Sequence, residues 1–408
     1  MPTKEIKKND KDVQNNLTTS PTEMVSKNPI AKKDDENIIT KAEYGKRIYY
    51  AKSKGSYEIF GEVFVMRNEN NIDLIINGQP NVLVNQYELQ EGENNITLII
   101  KNDLTDLSFM FIGCNSLKDI SQLKYLDVSK SKKFECMFAD CHSLLDIKPL
   151  QYWDVSNCNR FSSMFDSCSS LSNIYPLQYW NVSKGQDFNS MFRKCSKLID
   201  IRPLKNWNVS NSFNFSEMFY GCSLLQEIEP LAGWDVSKGE YFEGIFNGCS
   251  SLMTPRNLLN WNVSNGKNFG FMFHKCSSIL NLKFLANWDV SNGDDFQYMF
   301  SGCNFANIKP LANWNVSKSK NFSFMFYECS RLLNLDPIEN WNVVNCHIFK
   351  GMFCKCSGLS RISQLKNWNV SNGKDFESMF GGCTICDIKT LLNWNISKDK
   401  LELIMKNV

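Results

Sequence analysis

Thiols are the groups in this 408-residue sequence best suited to do chemistry, and it holds sixteen of them. As thiolates they coordinate zinc, act as nucleophiles or pair into disulfides. Eleven recur at one spacing: Cys114, Cys141, Cys168, Cys195, Cys222, Cys249, Cys276, Cys303, Cys329, Cys356 and Cys383. A zinc site wants close pairs with a second pair nearby. The nearest approaches are Cys354-Lys355-Cys356 and Cys383-Thr384-Ile385-Cys386, each a lone pair without matching histidines. The other extra thiols, Cys136, Cys158 and Cys346, fall irregularly. A wide, constant spacing points to packing in a core rather than to metal. The thiols are expected to be reduced, because a ladder of eleven cannot all pair.

Three histidines, His142, His274 and His347, complete the acid–base inventory, and none has a triad-like or metal-like setting. General acid–base catalysis needs a positioned, perturbed group, so no catalytic residue, metal or cofactor is expected. Gly-Lys in Asn265-Gly266-Lys267 recurs as a turn, not as a phosphate-binding loop. Six of the repeat turns spell N-x-S, at Asn181, Asn208, Asn262, Asn315, Asn369 and Asn395. Asp154, Asp235 and Asp289 fill the same slot, so forming a turn explains the position without a glycan.

A repeat must position all of these groups, and Met-Phe is its ruler. The pair begins at Met110, Met137, Met164, Met191 and Met218, becomes Ile245-Phe246, and resumes at Met272, Met299, Met325, Met352 and Met379. Nine of the ten intervals are 27 residues and one is 26. All ten tryptophans, Trp153 to Trp394, occupy one position, with Leu126 in the first unit. The unit reads F-x-x-M-F-x-x-C-x-x-L-x-x-I-x-P-L-x-x-W-[ND]-V-S. Apolar residues at i, i+3, i+4 and i+7 of F-x-x-M-F-x-x-C predict a short helix. The Pro-broken L-x-x-I-x-P-L, Leu144 to Leu150 in the second unit, predicts a brief strand. W-[ND]-V-S predicts an Asx-type turn closing the coil. Units this small bury their apolar stripe only by stacking. The expected fold is an α/β solenoid: a leucine-rich-repeat-like, right-handed stack of about eleven 27-residue coils, each with a short helix and a short strand, roughly 50 Å long.

Met137-Phe138-Ala139-Asp140-Cys141 with Trp153-Asp154-Val155-Ser156-Asn157, and Met379-Phe380-Gly381-Gly382-Cys383 with Trp394-Asn395-Ile396-Ser397, carry a family grammar. The sequence resembles the BspA-like leucine-rich repeat surface-protein family, in the branch with a repeat of about 26 residues. The resemblance implies a leucine-rich-repeat-like solenoid and protein–protein recognition.

Outside the repeat, residues 1–40 are rich in Lys, Asp and Asn and predict disorder. Residues 41–103 carry β-like runs at Tyr57–Phe60, Ile72–Ile76 and Ile96–Ile100, with turns at Asn77-Gly78 and Glu91-Gly92, and predict a small N-terminal β cap. The solenoid is expected over 104–397 and an amphipathic tail over 398–408. A formal net charge of +2 gives no reason to expect nucleic acid as a partner. No apolar run approaches 18 residues, so no membrane span is expected. The N-terminal residues lack the apolar stretch of a secretory leader, which favours an intracellular location, in a host cytoplasm or a virion. The expected role is that of a non-enzymatic, monomeric scaffold binding a protein partner. The alternative is a structural, surface or virion component acting as a rigid spacer or adhesin. The expected contact stripe is the freely varying residue before Pro-Leu: Lys148, Tyr175, Arg202, Glu229, Lys283, Lys309, Asp336, Ser363 and Lys389.

Overall fold

The computed structural model describes residues 38–43, 46–51, 54–253, 255–394 and 396–404, with side chains from 54 onward. Strand β1 (Ile38–Glu43) already begins within the segment expected to be disordered, and the rest of 1–40 lies outside the described residues. Then follow β2 (Lys46–Ala51), β3 (Gly55–Glu58), helix α1 (Glu62–Asn68), β4 (Ile72–Ile76), β5 (Gln79–Asn81), β6 (Gln86–Leu89) and β7 (Gly92–Ile100). Five of the strands form an antiparallel sheet in the order β1-β2-β7-β4-β5, while β3 pairs with β6. Asn77-Gly78 turns β4 into β5 with both residues at positive φ, the geometry that suits a two-residue hairpin. Helix α1 was not expected. It packs Phe64 inward, and Phe60 stacks at 6.2 Å on Phe111 of the first repeat unit. Gly61 donates to the Met110 carbonyl at 3.1 Å, and a Cβ at Gly61 would overlap the Phe109 carbonyl, so only glycine fits there.

From Leu104 onward the units stack on their sequence neighbours. One residue of each unit, in a line from Asp106 to Asp375, forms a parallel β-bridge to its counterpart in the next. The consensus side chains form two continuous phenylalanine ladders and a tryptophan row that stacks in segments. Phe138 and Phe165 stack at 5.7 Å and 2°, Phe161 and Phe188 at 5.2 Å and 2°, and Trp207 and Trp234 at 6.4 Å and 3°. These rings are almost fully buried, which contributes roughly 1.5–3 kcal/mol per large side chain, plus about 0.5–1.5 kcal/mol per well-placed ring pair.

Within the unit the structure corrects both expected elements. F-x-x-M-F-x-x-C is not a helix. In the unit at Phe215, alternate amides donate to the next unit: Phe215 to Tyr241, Glu217 to Glu243, Phe219 to Ile245 and Gly221 to Asn247, at 2.7–2.9 Å. Between them run tight turns such as Met218 N–H to the Phe215 carbonyl at 3.2 Å. The turns require two left-handed residues per unit. One column runs Phe109, Cys136, Ser163, Ser190, Glu217, Gly244, Phe271, Tyr298, Phe324, Gly351 and Ser378, all with φ between 52° and 65°. The second column precedes each ladder cysteine, from Gly113 to Gly382. A left-handed residue costs roughly 1–2 kcal/mol when it bears a Cβ, and the inter-unit ladder offsets it. The i, i+3, i+4, i+7 pattern was real, but repeated four-residue turns give the same inward spacing as helical turns.

I-x-P-L, expected as a strand, opens a 3-10 helix instead: Lys148–Tyr152, Tyr175–Tyr179, Arg202–Leu204 and their counterparts. Proline falls at its second residue, where the ring's fixed φ suits a helical start and the missing N–H is not needed. The tail forms helix α2 (Lys398–Ile404), burying Ile404, with the Leu403 carbonyl accepting from Ser378 at 3.0 Å.

Candidate interaction surface

The groups with the most reactive chemistry are committed to the interior. Each ladder thiol from Cys141 onward donates to the phenylalanine carbonyl of the preceding unit, as Cys222 Sγ does to Phe192 at 3.2 Å. Burial pushes the Cys222 thiol well above its usual range, so it is a neutral donor and not a nucleophile. Every tryptophan does likewise: Trp234 Nε1 donates to the Leu204 carbonyl at 3.0 Å, at the end of the previous 3-10 helix. Among the described residues no group of three or more His, Cys, Asp or Glu is arranged to hold a metal ion. The sequon asparagines that are described form the expected Asx turns, with Ser210 N–H donating to Asn208 Oδ1 at 3.1 Å. Where the slot holds aspartate, the Ser156 hydroxyl and amide keep the Asp154 carboxylate below its ordinary pKa.

The expected stripe lies in one line along the 3-10 helices. Lys148, Tyr175, Arg202, Glu229, Lys283, Lys309, Asp336 and Ser363 each begin such a helix, Lys389 is second in Ile388–Trp394, and all are exposed. The amides of Lys148, Tyr175, Arg202, Lys283 and Lys309 are fixed by local Asx bonds, such as Lys148 N–H to Asp146 Oδ1 at 2.7 Å. Arg202 is held in a fork by Asp200, with contacts of 2.6–3.0 Å. Beside this stripe stand three further exposed tyrosines, Tyr125, Tyr152 and Tyr179.

A second surface, richer in interactions, was missed in the sequence. The left-handed turns direct the "x" residues of F-x-x-M-F-x-x-C outward on the bridge-bearing face. In three successive units the left-handed column carries bulky rings: Phe271 stacks on Tyr298 at 4.7 Å, and Tyr298 on Phe324 at 4.6 Å. His274 meets Phe271 and Tyr298 edge-on at 5.8 and 5.7 Å. Desolvation, reinforced by Lys275, lowers the His274 pKa to about 4, so the ring is neutral. At the C-terminal end of this row the Phe324 ring lies where a Cβ on Gly351 would be.

Toward the N-terminal units the rings give way to small residues and carboxylates. There Gly244 packs against Glu217 and Asn247, Gly270 against Asn268 and Gln297, and Gly248 against Gly221. Burial, then the nearby Asp295 and Glu217 carboxylates, raises the Glu243 pKa to about 7, although Asn268 donates to it at 2.9 Å. Burial likewise raises Asp295 to about 6. Arg193 bridges Asp166 at 3.4 Å and Glu217 at 2.9 Å and lies over the Tyr220 ring at 5.0 Å. The sequence did hold a signal for this face. Glycine precedes the ladder cysteine at five of eleven positions, Gly113, Gly221, Gly248, Gly302 and Gly382, which a helix interior would disfavour and a left-handed turn explains.

Comparison with known proteins agrees with the repeat. A family model described as a Mycoplasma protein of unknown function, DUF285, matches in four overlapping stretches, residues 85–201, 198–309, 256–362 and 294–405. Neither the curated proteins nor the solved structures yielded a match.

Proposed function

The chain belongs to the DUF285 family, and from that premise we propose that it is a non-enzymatic repeat scaffold that binds a protein partner through the outer surface of its stack. One observation carries this proposal: the interior of each unit is nearly invariant, while the outward positions change chemistry from unit to unit. The exposed 3-10 stripe alone runs through lysine, tyrosine, arginine, glutamate, aspartate and serine. Solenoids use such surfaces for recognition. In this proposal the stack is a right-handed, leucine-rich-repeat-like solenoid of eleven coils related to the BspA-like proteins. It acts as a monomer inside a cell, and the 3-10 stripe (Lys148, Arg202, Lys309 and their neighbours) and the bridge-bearing face are its two candidate contact surfaces.

The test is capture of a partner by the immobilised full chain from its native source, followed by reconstitution with that partner purified. A stoichiometric complex, weakened by substitutions on one of the two surfaces, is expected. A chain that assembles only with itself, as the bulk component of a particle, would overturn the proposal. That outcome would favour the second candidate role, a rigid spacer, to which the unbroken line of bridges from Asp106 to Asp375 lends support.

A further inference from the structure

The fold does not require the tyrosines on the 3-10 side. In the position before the tryptophan, or before the leucine that replaces it, the first three units carry Tyr125, Tyr152 and Tyr179. Seven of the other eight units carry asparagine there and the eighth carries Gly233, so no ring is needed to form the coil. Tyr175 adds a fourth ring at the head of its 3-10 helix. Tyr152, Tyr175 and Tyr179 are 64%, 57% and 63% exposed, so most of each ring is in water. Tyr152 and Tyr179 have no hydrogen-bond or ring partner among the described residues. Consecutive 3-10 helices pack on one another, which gathers the four tyrosines into one patch, flanked by exposed Leu145 and Ile199. Together the rings present roughly 400–500 Å², the size of patch that monomeric proteins use for binding.

Charge around the rings selects the partner. The segments 118–125, 145–152, 172–179 and 199–206 hold five exposed cations, Lys118, Lys124, Lys148, Arg202 and Lys205, against three carboxylates. The chain itself engages those carboxylates. Asp119 accepts from the Ser121 amide and Asp146 from the Lys148 amide, both at 2.7 Å, and Asp200 clasps Arg202 at 2.6 Å. Lys124 Nζ lies 4.5 Å from the Tyr125 ring centre, whereas Lys148 and Lys205 have no ion-pair partner among the described residues. One unit further on, Glu227 and Glu229 reverse the sign and the tyrosines stop. Aromatic anchors bordered by uncompensated positive charge are complementary to apolar groups bordered by negative charge.

We infer that the 3-10 side of the first four units docks an acidic polypeptide segment interrupted by apolar side chains, the apolar groups lying against Tyr152, Tyr175 and Tyr179 and the carboxylates against Lys148 and Lys205. The inference rests on the scaffold function proposed above and specifies which surface acts and what class of partner it takes. Tyrosine suits the anchoring role because it brings a large, rigid ring with a polar tip at little cost in side-chain entropy.

The probe is a dye-labelled peptide repeating glutamate-leucine-serine, read by fluorescence anisotropy against the full chain. Peptides repeating lysine-leucine-serine and glutamate-serine-serine, and an oligothymidylate of equal charge, are the controls. The probe should bind about tenfold more tightly than each control, or better. Tyr152→Asn with Tyr179→Asn, and separately Lys148→Glu with Lys205→Glu, should each weaken its binding by about tenfold or more. Each replacement already stands at the same position in another unit, as Asn206, Glu229 and Glu339, so both variants should keep their fold. Phe271→Ser with Tyr298→Ser, on the other surface, should leave probe binding unchanged. Any control bound as tightly as the probe, or probe binding indifferent to both 3-10 variants, overturns the inference. A captured native partner retained by both 3-10 variants also overturns it while leaving the scaffold function intact. Probe binding that depends on the tyrosines and lysines, with no native partner found, upholds the inference and counts against the scaffold function.

Discussion

Replacing Trp234 by phenylalanine isolates what the tryptophan ladder contributes beyond its bulk. Trp234 is 4% exposed, stacks on Trp207 and Phe215, and donates from Nε1 to the Leu204 carbonyl at 3.0 Å. That carbonyl also accepts from the Trp207 amide at 3.1 Å, so the substitution does not orphan it. The lost hydrogen bond is therefore worth only about 1 kcal/mol. Removing the fused ring from a closed core adds about 1–2 kcal/mol of lost burial and cavity. The sum is about 2–3 kcal/mol, against about 3–5 kcal/mol for alanine. Trp234→Leu, which reproduces the first unit's Leu126, should behave like phenylalanine because it too lacks the donor. Urea unfolding followed by circular dichroism reads the difference. A lower midpoint with unchanged slope reports lost stability, whereas a reduced slope reports uncoupling of the stack on either side. A loss below about 0.5 kcal/mol for phenylalanine would place it with ordinary surface substitutions and refute the idea that the indole joins one unit to the next.

Three further outcomes follow from the same geometry. Cys386 is exposed and Cys354 partly so, while the other fourteen thiols are buried; an aromatic disulfide reagent should titrate two thiols in the native chain and sixteen after denaturation, and rapid reaction of many more would contradict the ladder. Glu243 has its pKa raised to about 7 in the fold, above the unfolded value, so the unfolded chain ionises first as pH rises. The Glu243 contribution to stability should decline from about pH 4.5 to about pH 7 and then level off, by about 2 kcal/mol after allowance for partial exposure; because His274 runs the opposite way and Asp295 the same way over this range, the decline is read as the difference between thermal melts of the native chain and of Glu243→Gln. Gly248 has φ +74° with the Gly221 Cα 3.5 Å from where its Cβ would be, so Gly248→Ala should cost about 1 kcal/mol, whereas substitution at the equally varied Lys309 should shift the urea midpoint little.

The sequence revealed the repeat and its interior more fully than the path of its backbone. The period of Met-Phe, the single position of the tryptophans and the Asx slot each had one physical explanation, and Trp234, Cys222 and Asn208 sit where those explanations put them. The elements were misassigned because periodicity reports which side chains face inward, not how the chain turns between them. Phe215, Met218, Phe219 and Cys222 would share a face in a helix, and they share one in a ladder of turns. Pro203 looked like the end of a strand because proline is excluded from central pairing, yet the same missing donor suits the start of a 3-10 helix. The bridge-bearing surface was illegible for a related reason. Glu243, Phe271 and Tyr298 occupy consensus positions written as "x", and in the helical assignment those residues scatter around a cylinder. Only the left-handed turns bring them into rows.

Amide hydrogen exchange, read residue by residue in a middle unit, tests the inter-unit ladder most directly. If alternate amides donate to the next unit, Phe215, Glu217, Phe219 and Gly221 should be among the slowest in the chain. If the segment were a helix, Phe215 and Glu217 would fall in its unbonded first turn and exchange rapidly, with protection beginning only at Phe219. Fast exchange at Glu217 beside slow exchange at Gly221 would contradict the ladder and the outward rows that depend on it.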